Sequence, residues 1–313
     1  MTSATLEVLL TVYNGAQYLD ASLESLCMQD YQDWSLLVLD GGSTDGTQDI
    51  LDRWHDRLGG RMTLLPNPDN EHLSVEESYS RLVAASTAPY ITIIADDDIY
   101  HPSRFSLTLD AMRHHEANVG AERPVLVFTD AVVVNQSLAV IARSYWAYVS
   151  WRPPKLRPLG ALLIQSAIPG GTTVLNRPLI ELLGDPPFYE DFWTGWVAAA
   201  FGDLVPISTQ TMDFRRDGSN YTELLSFGST LRQLLTAPWT ARIILHTRLD
   251  RFRPYARRFL ERYRSRLSPE QIATVETYLN LSEMGPLARR WALLRYGVHY
   301  SSWLRKIGML LLI

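Results

Sequence analysis

Three consecutive aspartates, Asp96, Asp97 and Asp98, follow directly on the apolar, β-branched run of residues 91–94. A run of this length and composition predicts a buried strand of a parallel sheet. In open α/β sheets the ligand crevice lies at the carboxyl ends of the strands, where these aspartates fall. Adjacent carboxylates repel one another in a low-dielectric setting unless water or a cation lies between them. The cluster therefore indicates either a site for a hard cation such as Mg²⁺ or Mn²⁺, whose usual partner is a phosphate, or a solvated acidic strand end.

The composition is that of an ordinary globular protein. The chain has 313 residues, of which 46% are hydrophobic and 20% charged, enough to bury a sizeable core in one large domain or two smaller ones. The single cysteine, Cys27, excludes an intrachain disulfide and favours a reducing compartment. The first residues lack a basic region and no apolar run reaches the roughly 18–20 residues that span a bilayer, so we expect neither a signal peptide nor a membrane-spanning helix.

Charge is distributed unevenly along the chain. Residues 1–230 hold 14 Lys and Arg against 29 Asp and Glu, whereas residues 231–313 hold 15 against 5. The first part therefore carries −15 and the second +10, in agreement with the net charge of −5. A basic C-terminal quarter on an acidic body predicts a separate task for that quarter, such as binding an anionic surface.

Strand and helix patterns alternate through the N-terminal part. Short apolar runs predict strands, helical spacing of apolar residues predicts helices between them, and Gly-rich or polar segments separate the two. This alternation predicts a parallel sheet with right-handed crossovers. The predicted strands are residues 6–12, 34–39, 62–65, 90–94, 125–134 and 205–214, with a turn and strand over 168–175 and a loop over 151–159; the predicted helices are residues 18–28, 48–58, 74–85, 103–115 and 188–201.

The pattern changes near residue 225. Beyond it, apolar residues recur at helical spacing among many arginines, and the tail from residue 303 is apolar with one basic pair. We therefore expect two domains. The first, residues 1–225, is α/β, and the second, residues 226–313, is helical, basic and amphipathic.

Five motifs in the N-terminal part follow one another in a recognisable order. They are T-V-Y-N-G-A-Q-Y-L at residues 11–19, L-D-G-G-S-T-D-G-T at 39–47, the aspartates at 96–98, E-D-F-W at 190–193 and R-R-D-G-S-N at 215–220. Over about residues 5–225 the chain resembles the family-2 glycosyltransferases of GT-A fold. The G-G-T-T-V-L-N-R stretch at residues 170–177 is most similar to the rhamnosyltransferase-like branch that acts on bacterial surface glycans. The resemblance implies a GT-A fold, with a mostly parallel sheet flanked by helices, and sugar transfer from a nucleotide-diphosphate donor.

The resemblance implies a metal site at the aspartates. Asp97 aligns with the family's principal metal ligand and Asp98 is the second candidate ligand, while Asp96 is expected to contact the sugar or ribose of the donor. A Mn²⁺ or Mg²⁺ ion held there would neutralise the diphosphate and stabilise it as the leaving group. The family's first DxD aspartate falls at Ala95, so the motif is shifted in register.

The resemblance also implies a donor pocket at the ends of the first two strands. The nucleobase could lie against Thr11 and Tyr13, and the Asp40 carboxylate could accept a hydrogen bond from base or ribose. Turn chemistry is the alternative role for residues 13 and 14. The arginine pair could bind phosphate oxygens when its loop closes over the donor, or be a solvated surface pair. The implied donor-binding residues are Thr11, Tyr13, Asn14, Asp40, Gly42, Asp96, Arg215 and Arg216.

Asp191 matches the position of the family's general base. Inversion at the anomeric carbon needs such a base to deprotonate the acceptor hydroxyl, on the face opposite the leaving diphosphate. Glu190 is the alternative base, and a helix N-cap is the alternative role for either carboxylate.

Several residues of this sequence depart from the family pattern. Gly41 replaces the second aspartate of D-D-G-S, Asp217 stands in place of a histidine, and Tyr79 stands where members often carry arginine. The Q-x-x-R-W signature of processive synthases is missing, which favours the addition of a single sugar. A sugar-phosphate nucleotidyltransferase is the rival enzyme class, but its L-x-G-G-x-G-x-R-L start is missing too. A degenerate sugar-binding module is disfavoured by the presence of Asp97 and Asp191.

The C-terminal helices indicate a surface-binding element. Basic residues interleaved with Trp and Tyr, followed by a short apolar tail, are typical of segments that lie on anionic membranes. The alternatives are a helical subdomain packed on the body and a homo-oligomer contact, and no motif supports nucleic-acid binding. We therefore expect a cytoplasmic enzyme, peripheral on the inner face of the cell membrane, that acts on a glycan or lipid-linked acceptor.

Overall fold

The computed structural model describes residues 4–68, 70–155, 158–184, 191–216 and 238–312. Within these ranges the chain forms two compact units. The first contains the described parts of Met1–Tyr145 and Ile168–Asn220, and the second those of Trp146–Ala167 and Tyr221–Ile313. The domain boundary expected near residue 225 lies outside the described residues and stays a prediction.

A nine-stranded sheet forms the core of the first unit. Its strands are β1 (Leu6–Val12), β2 (Trp34–Asp40), β3 (Met62–Leu64), β4 (Tyr90–Ile94), β5 (Ile99–Tyr100), β6 (Val125–Val134), β7 (Val140–Ala142), β8 (Thr173–Asn176) and β9 (Asp203–Arg215). They lie side by side in the order β3-β2-β1-β4-β8-β6-β9-β5, and β7 pairs with β6 beside this path.

The α-helices of the described residues alternate with these strands and then continue alone. They are α1 (Leu19–Cys27), α2 (Thr47–Leu58), α3 (Val75–Ala85), α4 (Arg104–Val119), α5 (Tyr145–Tyr148), α6 (Pro158–Ile164), α7 (Arg177–Leu182), α8 (Asp191–Phe201), α9 (Pro238–Tyr263), α10 (Pro269–Leu279), α11 (Pro286–Tyr296) and α12 (Trp303–Leu312).

Strands β3, β2, β1 and β4 pair in parallel, with a helix in each crossover. In register, Val12 lies opposite Asp40, and Leu10 lies opposite Ile94. Both β1 and β4 are buried along nearly their whole length, as their continuous apolar runs predict. The loops after β1, β2 and β4 therefore leave the sheet at one common edge.

The other half of the sheet is mixed. Strand β8 lies antiparallel between β4 and β6, whereas β9 runs parallel to β6. The β6–β9 register shifts after Thr129, an irregularity of the kind that bends a strand. The two-residue β5 pairs with the end of β9, with Ile99 opposite Asp213. This pairing brings the segment that follows the aspartates to the end of β9.

The predicted α/β architecture is confirmed, and the strands and helices predicted for the N-terminal part lie close to their predicted bounds. The expectation of parallel pairing holds for β1–β4 and for β6 with β9, whereas β8 pairs antiparallel with β4 and β6, and the short strands β5 and β7 also pair antiparallel. The loop predicted over residues 151–159 is wrong at its end, since α6 begins at Pro158, a residue favoured in the first helical turn. Strands β5 and β7 and helix α7 are too short for the periodicity of the sequence to reveal.

Side-chain caps fix where several helices begin. The Ser74 hydroxyl accepts a hydrogen bond from the Glu77 N–H at the start of α3, and the Asn176 side chain accepts one from the Leu179 N–H at the start of α7. Caps of this kind stabilise a helix by about 1 kcal/mol. The cap at Ser74 begins α3 directly after the loop that follows β3.

The second unit is helical in its described parts. Phe259 and Tyr263 on α9, Val275 and Tyr278 on α10, and Leu293 on α11 are all buried. Within α9 and α10 the spacing of three or four residues places these side chains on one apolar face, and these faces, together with Leu293, form the core of the unit. None of the helices described here combines the length and the apolar character needed to cross a bilayer.

The pairing of β5 with β9 should depend on pH. The His101 Nε2 lies 2.9 Å from the Asp213 Oδ1 and its Nδ1 lies 3.2 Å from the Gln210 carbonyl oxygen, and the hydrogen bond with Asp213 raises the pKa of His101. A histidine whose pKa is higher in the folded state than in the unfolded state stabilises the fold when it is protonated. This stabilisation is complete below the unfolded-state pKa of about 6.5 and is lost as the pH rises through the folded-state pKa. Because both side chains are about a third exposed, we expect at most about 1 kcal/mol from this pair.

The substitution His101→Gln tests this expectation by thermal unfolding at pH 5.5 and pH 9. The variant should be less stable than the wild type at pH 5.5, and the difference should shrink at pH 9. The control is His55→Gln at the exposed surface of α2, which should lower stability at pH 5.5 less than His101→Gln does. A pH-independent effect of His101→Gln would contradict the ion pair.

Candidate functional site

The loops after β1 and β4 meet at Gly15. A Cβ placed on Gly15 would come well under 3.0 Å from the Asp96 Oδ2 and within 2.6 Å of the Val12 Cγ2. The Gly15 N–H donates to the Thr47 Oγ1 at 2.9 Å, and the Ser22 hydroxyl donates to the Ala95 carbonyl oxygen at 2.9 Å. Glycine at this position therefore allows the first motif to lie directly against the aspartate cluster.

The loops after β1 and β2 are joined by Asn14. This residue has a φ of 51°, its N–H donates to the Ser43 Oγ at 2.9 Å, and its Oδ1 accepts from the Thr44 N–H at 2.8 Å. The preceding Tyr13 is 47% exposed, and its ring lies 4.4 Å from the His72 ring. Asn14 thus closes the turn, while Tyr13 presents an aromatic face beside a second ring.

Asp40 and Gly42 shape the loop after β2. The Asp40 Oδ1 accepts from both the N–H and the hydroxyl of Ser43, at 3.1 Å and 2.6 Å. Gly42 has a φ of +90°, and a Cβ on it would lie 2.5 Å from the Glu71 carbonyl oxygen, so both conformation and space require glycine. The five donor residues predicted in this region do lie together at the ends of β1 and β2; they are Thr11, Tyr13, Asn14, Asp40 and Gly42.

The aspartate cluster is an environment that disfavours negative charge. Burial, together with the charge of Asp97, raises the pKa of Asp96 to about 7. Asp98 is 3% exposed, and burial followed by the charge of Asp97 raises its pKa well above the ordinary range. A divalent cation would relieve this repulsion, and carboxylate oxygens are the ligands that Mn²⁺ and Mg²⁺ prefer. The residues present therefore fit such an ion.

A divalent ion at this cluster does not need a full set of protein ligands. Across the described ranges, no group of three or more His, Cys, Asp or Glu side chains is arranged to hold a metal ion. Mg²⁺-like ions commonly bind through one or two carboxylates and complete their coordination with phosphate oxygens and water. The assignment of Asp97 and Asp98 as metal ligands stays a prediction.

Arg215, at the end of β9, holds the aspartate loop in place. Its N–H donates to the Asp98 Oδ1 at 2.9 Å, and its Nε donates to the Asp97 carbonyl oxygen at 2.7 Å. A further hydrogen bond reaches the Gln136 carbonyl oxygen, and the guanidinium lies 4.3 Å from the centre of the Tyr18 ring. Arg215 is 3% exposed, so in this structure its guanidinium is directed at protein groups. Its predicted contact with the donor phosphates stays a prediction.

Arg216, the second arginine of the pair, is placed differently. Its N–H donates to the Val134 carbonyl oxygen at 2.8 Å, which continues the β6–β9 pairing, and the residue is partly exposed. Its predicted phosphate contact is likewise untested. The remainder of this motif, from Asp217 to Asn220, lies outside the described residues.

A cavity of about 170 Å³ joins Asp98 to Asp191. Asp191 is the first residue of α8, and its Oδ2 accepts a hydrogen bond from the Gly170 N–H at 2.9 Å. The fold therefore brings the predicted base to the aspartate cluster across 93 positions of sequence. Glu190, the alternative base, lies outside the described residues. The cavity is lined by Val75, Tyr79, Ile93, Ile94, Ala95, Asp98, Pro169, Gly170, Gly171, Asp191 and Phe214.

Two buried tyrosines support the cavity, and neither was among the predicted site residues. The Tyr79 hydroxyl donates to the Ile94 carbonyl oxygen at 2.7 Å, and the Tyr100 hydroxyl accepts from the Ala95 N–H at 2.7 Å. Burial raises the pKa of Tyr79 well above its ordinary value, and the charges of Asp191 and the aspartate cluster add to the effect. The departure of Tyr79 from the family pattern was a signal for it, whereas nothing in the sequence distinguished Tyr100.

Arg104 is a second supporting residue that sequence reasoning missed. It is fully buried, its Nε donates to the Gly171 carbonyl oxygen at 2.8 Å, and its Nη2 donates to the Thr92 hydroxyl at 2.6 Å. Burial lowers the pKa of Arg104 to about 10, while the nearby Asp98 acts in the opposite direction. Arg104 thus fixes the Gly170–Gly171 turn, which holds Asp191, to strand β4, which carries the aspartates.

Part of the chain is similar to a known family of sequences. A profile of glycosyl transferase family 2 matches residues 7–167, about half of the chain. EpsE of Bacillus subtilis, whose name describes it as a glycosyltransferase, is 28% identical over 123 residues, which are 39% of this chain and 44% of EpsE. A PGL/p-HBAD biosynthesis glycosyltransferase of Mycobacterium tuberculosis is 28% identical over 135 residues, 42% of this chain and 49% of that protein. The chain thus matches about half the length of these curated relatives.

Comparison with solved structures supports the fold. Staphylococcus aureus TarS 1–349 in complex with UDP-GlcNAc superposes with a TM-score of 0.54 at 15% identity, covering 93% of this chain and 86% of TarS 1–349. The mannosyltransferase PcManGT of Pyrobaculum calidifontis, in complex with GDP-Man and Mn²⁺, superposes with a TM-score of 0.51 at 18% identity. The superposition covers 95% of this chain and 74% of PcManGT. At these identities the likeness shows the fold alone, and it confirms the GT-A prediction.

The contact between Gly15 and Asp96 can be tested with a pair of alanine substitutions. In Gly15→Ala the new methyl group must displace the Asp96 carboxylate and the Val12 side chain, so we expect a loss of about 1–3 kcal/mol of stability. In the control Gly46→Ala, on the neighbouring loop, the nearest atom to the new methyl group is 3.9 Å away, at the Ala16 Cβ. Thermal unfolding should therefore show a clearly lower midpoint for Gly15→Ala than for Gly46→Ala. Equal midpoints would mean that the two loops are not in contact.

Proposed function

The chain belongs to glycosyl transferase family 2, and we propose that it is an inverting, metal-dependent glycosyltransferase of hexosyltransferase type. It moves one sugar from a nucleotide-diphosphate-sugar donor to a hydroxyl of a glycan or lipid-linked acceptor, in surface polysaccharide or lipopolysaccharide assembly. The observation that carries the proposal is the cavity shared by Asp98 and Asp191. Sugar transfer needs the metal-bound diphosphate and the general base close to the same anomeric carbon. The cavity is lined by Asp98, a candidate metal ligand, and by Asp191, the candidate base.

The solved structures support the choice of donor and cation. TarS holds UDP-GlcNAc, and PcManGT holds GDP-Man with Mn²⁺. Here Asp97 and Asp98 are the residues that would hold Mn²⁺ or Mg²⁺, and when bound the ion supplies charge neutralisation of the diphosphate leaving group. Asp96, which packs against Gly15, contacts the sugar or ribose of the donor in this proposal.

The donor nucleotide occupies the edge formed by the loops after β1 and β2. Tyr13 offers its exposed ring to the face of the base, and the neighbouring Thr11 lies at the end of the same strand. Asp40 accepts a hydrogen bond from base or ribose, while Asn14 and Gly42 hold the backbone of the two loops in the required shape. The partly exposed Arg216 binds phosphate oxygens of the donor, and Arg215 contributes by fixing the aspartate loop.

Asp191 acts as the general base. Its carboxylate takes the proton of the acceptor hydroxyl as that oxygen forms a bond to the anomeric carbon, and the bond to the diphosphate breaks on the opposite face. This single displacement inverts the configuration of the anomeric carbon. The hydrogen bond from the Gly170 N–H holds the carboxylate in place at the wall of the cavity.

The acceptor and the location are argued from the relatives and from the C-terminal sequence. The Mycobacterium tuberculosis relative carries the biosynthesis of PGL/p-HBAD in its name, which supports a glycan or lipid-linked acceptor. The missing Q-x-x-R-W signature supports the addition of a single sugar. The basic C-terminal residues support a peripheral location at the inner face of the cell membrane, where lipid-linked acceptors are accessible.

Replacing Asp191 by asparagine tests the role of this carboxylate. Because the amide cannot accept the proton, we expect turnover to fall by about 10²–10⁴-fold. Donor binding should stay within about threefold, since the side chain keeps its size. Turnover is followed as nucleoside diphosphate released from UDP-, GDP- and dTDP-sugars in the presence of Mn²⁺, and binding is followed by calorimetry.

The control is Asp110→Asn, which removes an exposed carboxylate from α4. This variant should turn over donor like the wild type. If Asp191→Asn and Asp110→Asn are equally active, Asp191 is not the base.

A further inference from the structure

Helix α11 exposes an apolar stripe. Leu287 is 82% exposed, Trp291 62% and Leu294 48%, and at 100° per residue these three positions fall within a 60° arc of the helix. The opposite face of the helix is buried through Ala292 and Leu293. The helix therefore packs one apolar face into the second unit and presents another to solvent.

Helix α12 also exposes large apolar side chains. Trp303 is 67% exposed and Ile307 is 47% exposed, one turn apart, while Met309 on the other side of the helix is buried. The two helices are in contact, since the Arg290 Nε donates to the Leu310 carbonyl oxygen at 2.8 Å. Five large apolar side chains, two of them tryptophans, are thus exposed on two neighbouring helices, a concentration that is costly in water and typical of an interaction surface.

Cations of α11 and α12 flank the stripe, and two carboxylates of α10 lie near it: Glu270 beside Arg295, and Glu276 in the cavity that Trp291 also lines. Residues 285–313 hold five Arg and Lys and no Asp or Glu. On α11, Arg290 and Arg295 fall on the two flanks of the stripe, and on α12 Lys306 falls beside Trp303 and Ile307. The Arg295 guanidinium lies 3.3 Å from the exposed Glu270 carboxylate of α10, a contact that keeps this arginine at the rim of the stripe.

We propose that this surface, formed by Leu287, Trp291, Leu294, Trp303 and Ile307 with its flanking cations, docks the chain on a bilayer that contains anionic phospholipids. The apolar side chains enter the boundary between headgroups and acyl chains, where Trp is favoured, and the cations lie at the level of the lipid phosphates. An anionic bilayer is the occupant that this surface favours, because α11 and α12 supply cations and no carboxylate, and a second copy of the chain is the competing outcome of the test below. The proposal concerns a surface of the second unit and is independent of the proposed sugar transfer.

The test is co-sedimentation of the full chain with vesicles of phosphatidylcholine alone and of phosphatidylcholine with 30% phosphatidylglycerol. We expect binding to the anionic vesicles that weakens at 0.5 M NaCl, and little binding to the neutral ones. The double substitution Trp291→Ser with Trp303→Ser should lower the partition coefficient at least about tenfold, because two large apolar side chains no longer enter the bilayer. Lys306→Gln should lower it about fivefold, as expected for one cation near an anionic surface.

The matched control is Val140→Ser with Ile141→Ser, two exposed apolar residues of β7, which are 61% and 49% exposed. This variant should bind vesicles like the wild type, and circular dichroism should show that all variants are folded. The proposal is overturned if the wild type does not bind anionic vesicles, if neutral vesicles bind it equally, or if both double variants partition alike. It is also overturned if light scattering shows a dimer that the tryptophan substitutions dissociate, since a second copy would then cover the surface.

Discussion

Carboxylates gathered at the end of β4 are the constraint on which the rest of the first unit depends. Moving an ionised carboxylate away from water is costly unless it gains hydrogen bonds or opposite charge, and like charges beside it add to the cost. Here burial and the charge of Asp97 raise the pKa of both Asp96 and Asp98. The surrounding structure offsets part of this cost with the backbone hydrogen bond from Arg215 and the buried guanidinium of Arg104.

The frame around the cluster explains why residues distant in sequence act together. Gly15 brings the loop after β1 against Asp96, and Arg215 ties the end of β9 to the aspartate loop. Arg104 joins β4 to the turn whose Gly170 N–H holds Asp191. The aspartates predicted to bind the metal ion and Asp191, the predicted base, therefore share one support, which is the arrangement that pre-organised catalysis requires.

The sequence was sufficient for the longer strands and helices of the first unit and for the edge of the sheet where the candidate site lies. Continuous apolar runs such as Leu6–Val12 and Tyr90–Ile94 can be satisfied only by buried strands, and polar residues that follow them must gather where those strands end. The sequence could not show that Arg215 is buried beneath the aspartates, because its partners Asp97 and Asp98 lie 118 and 117 positions away. The role of Arg104 was hidden too, because its partner Gly171 lies 67 positions away. In addition, an arginine at the start of a helix ordinarily lies in water, whereas Arg104 is buried.

The central claim is that the aspartate cluster receives a cation and a diphosphate together. Calorimetric titration of UDP, GDP and dTDP into the full chain, with and without Mn²⁺, tests it most directly. The account predicts that at least one diphosphate binds at least about tenfold more tightly when Mn²⁺ is present, and that Asp97→Asn removes this gain while Asp110→Asn preserves it. Diphosphate binding that is indifferent to Mn²⁺, or a gain that survives in Asp97→Asn, would contradict the account.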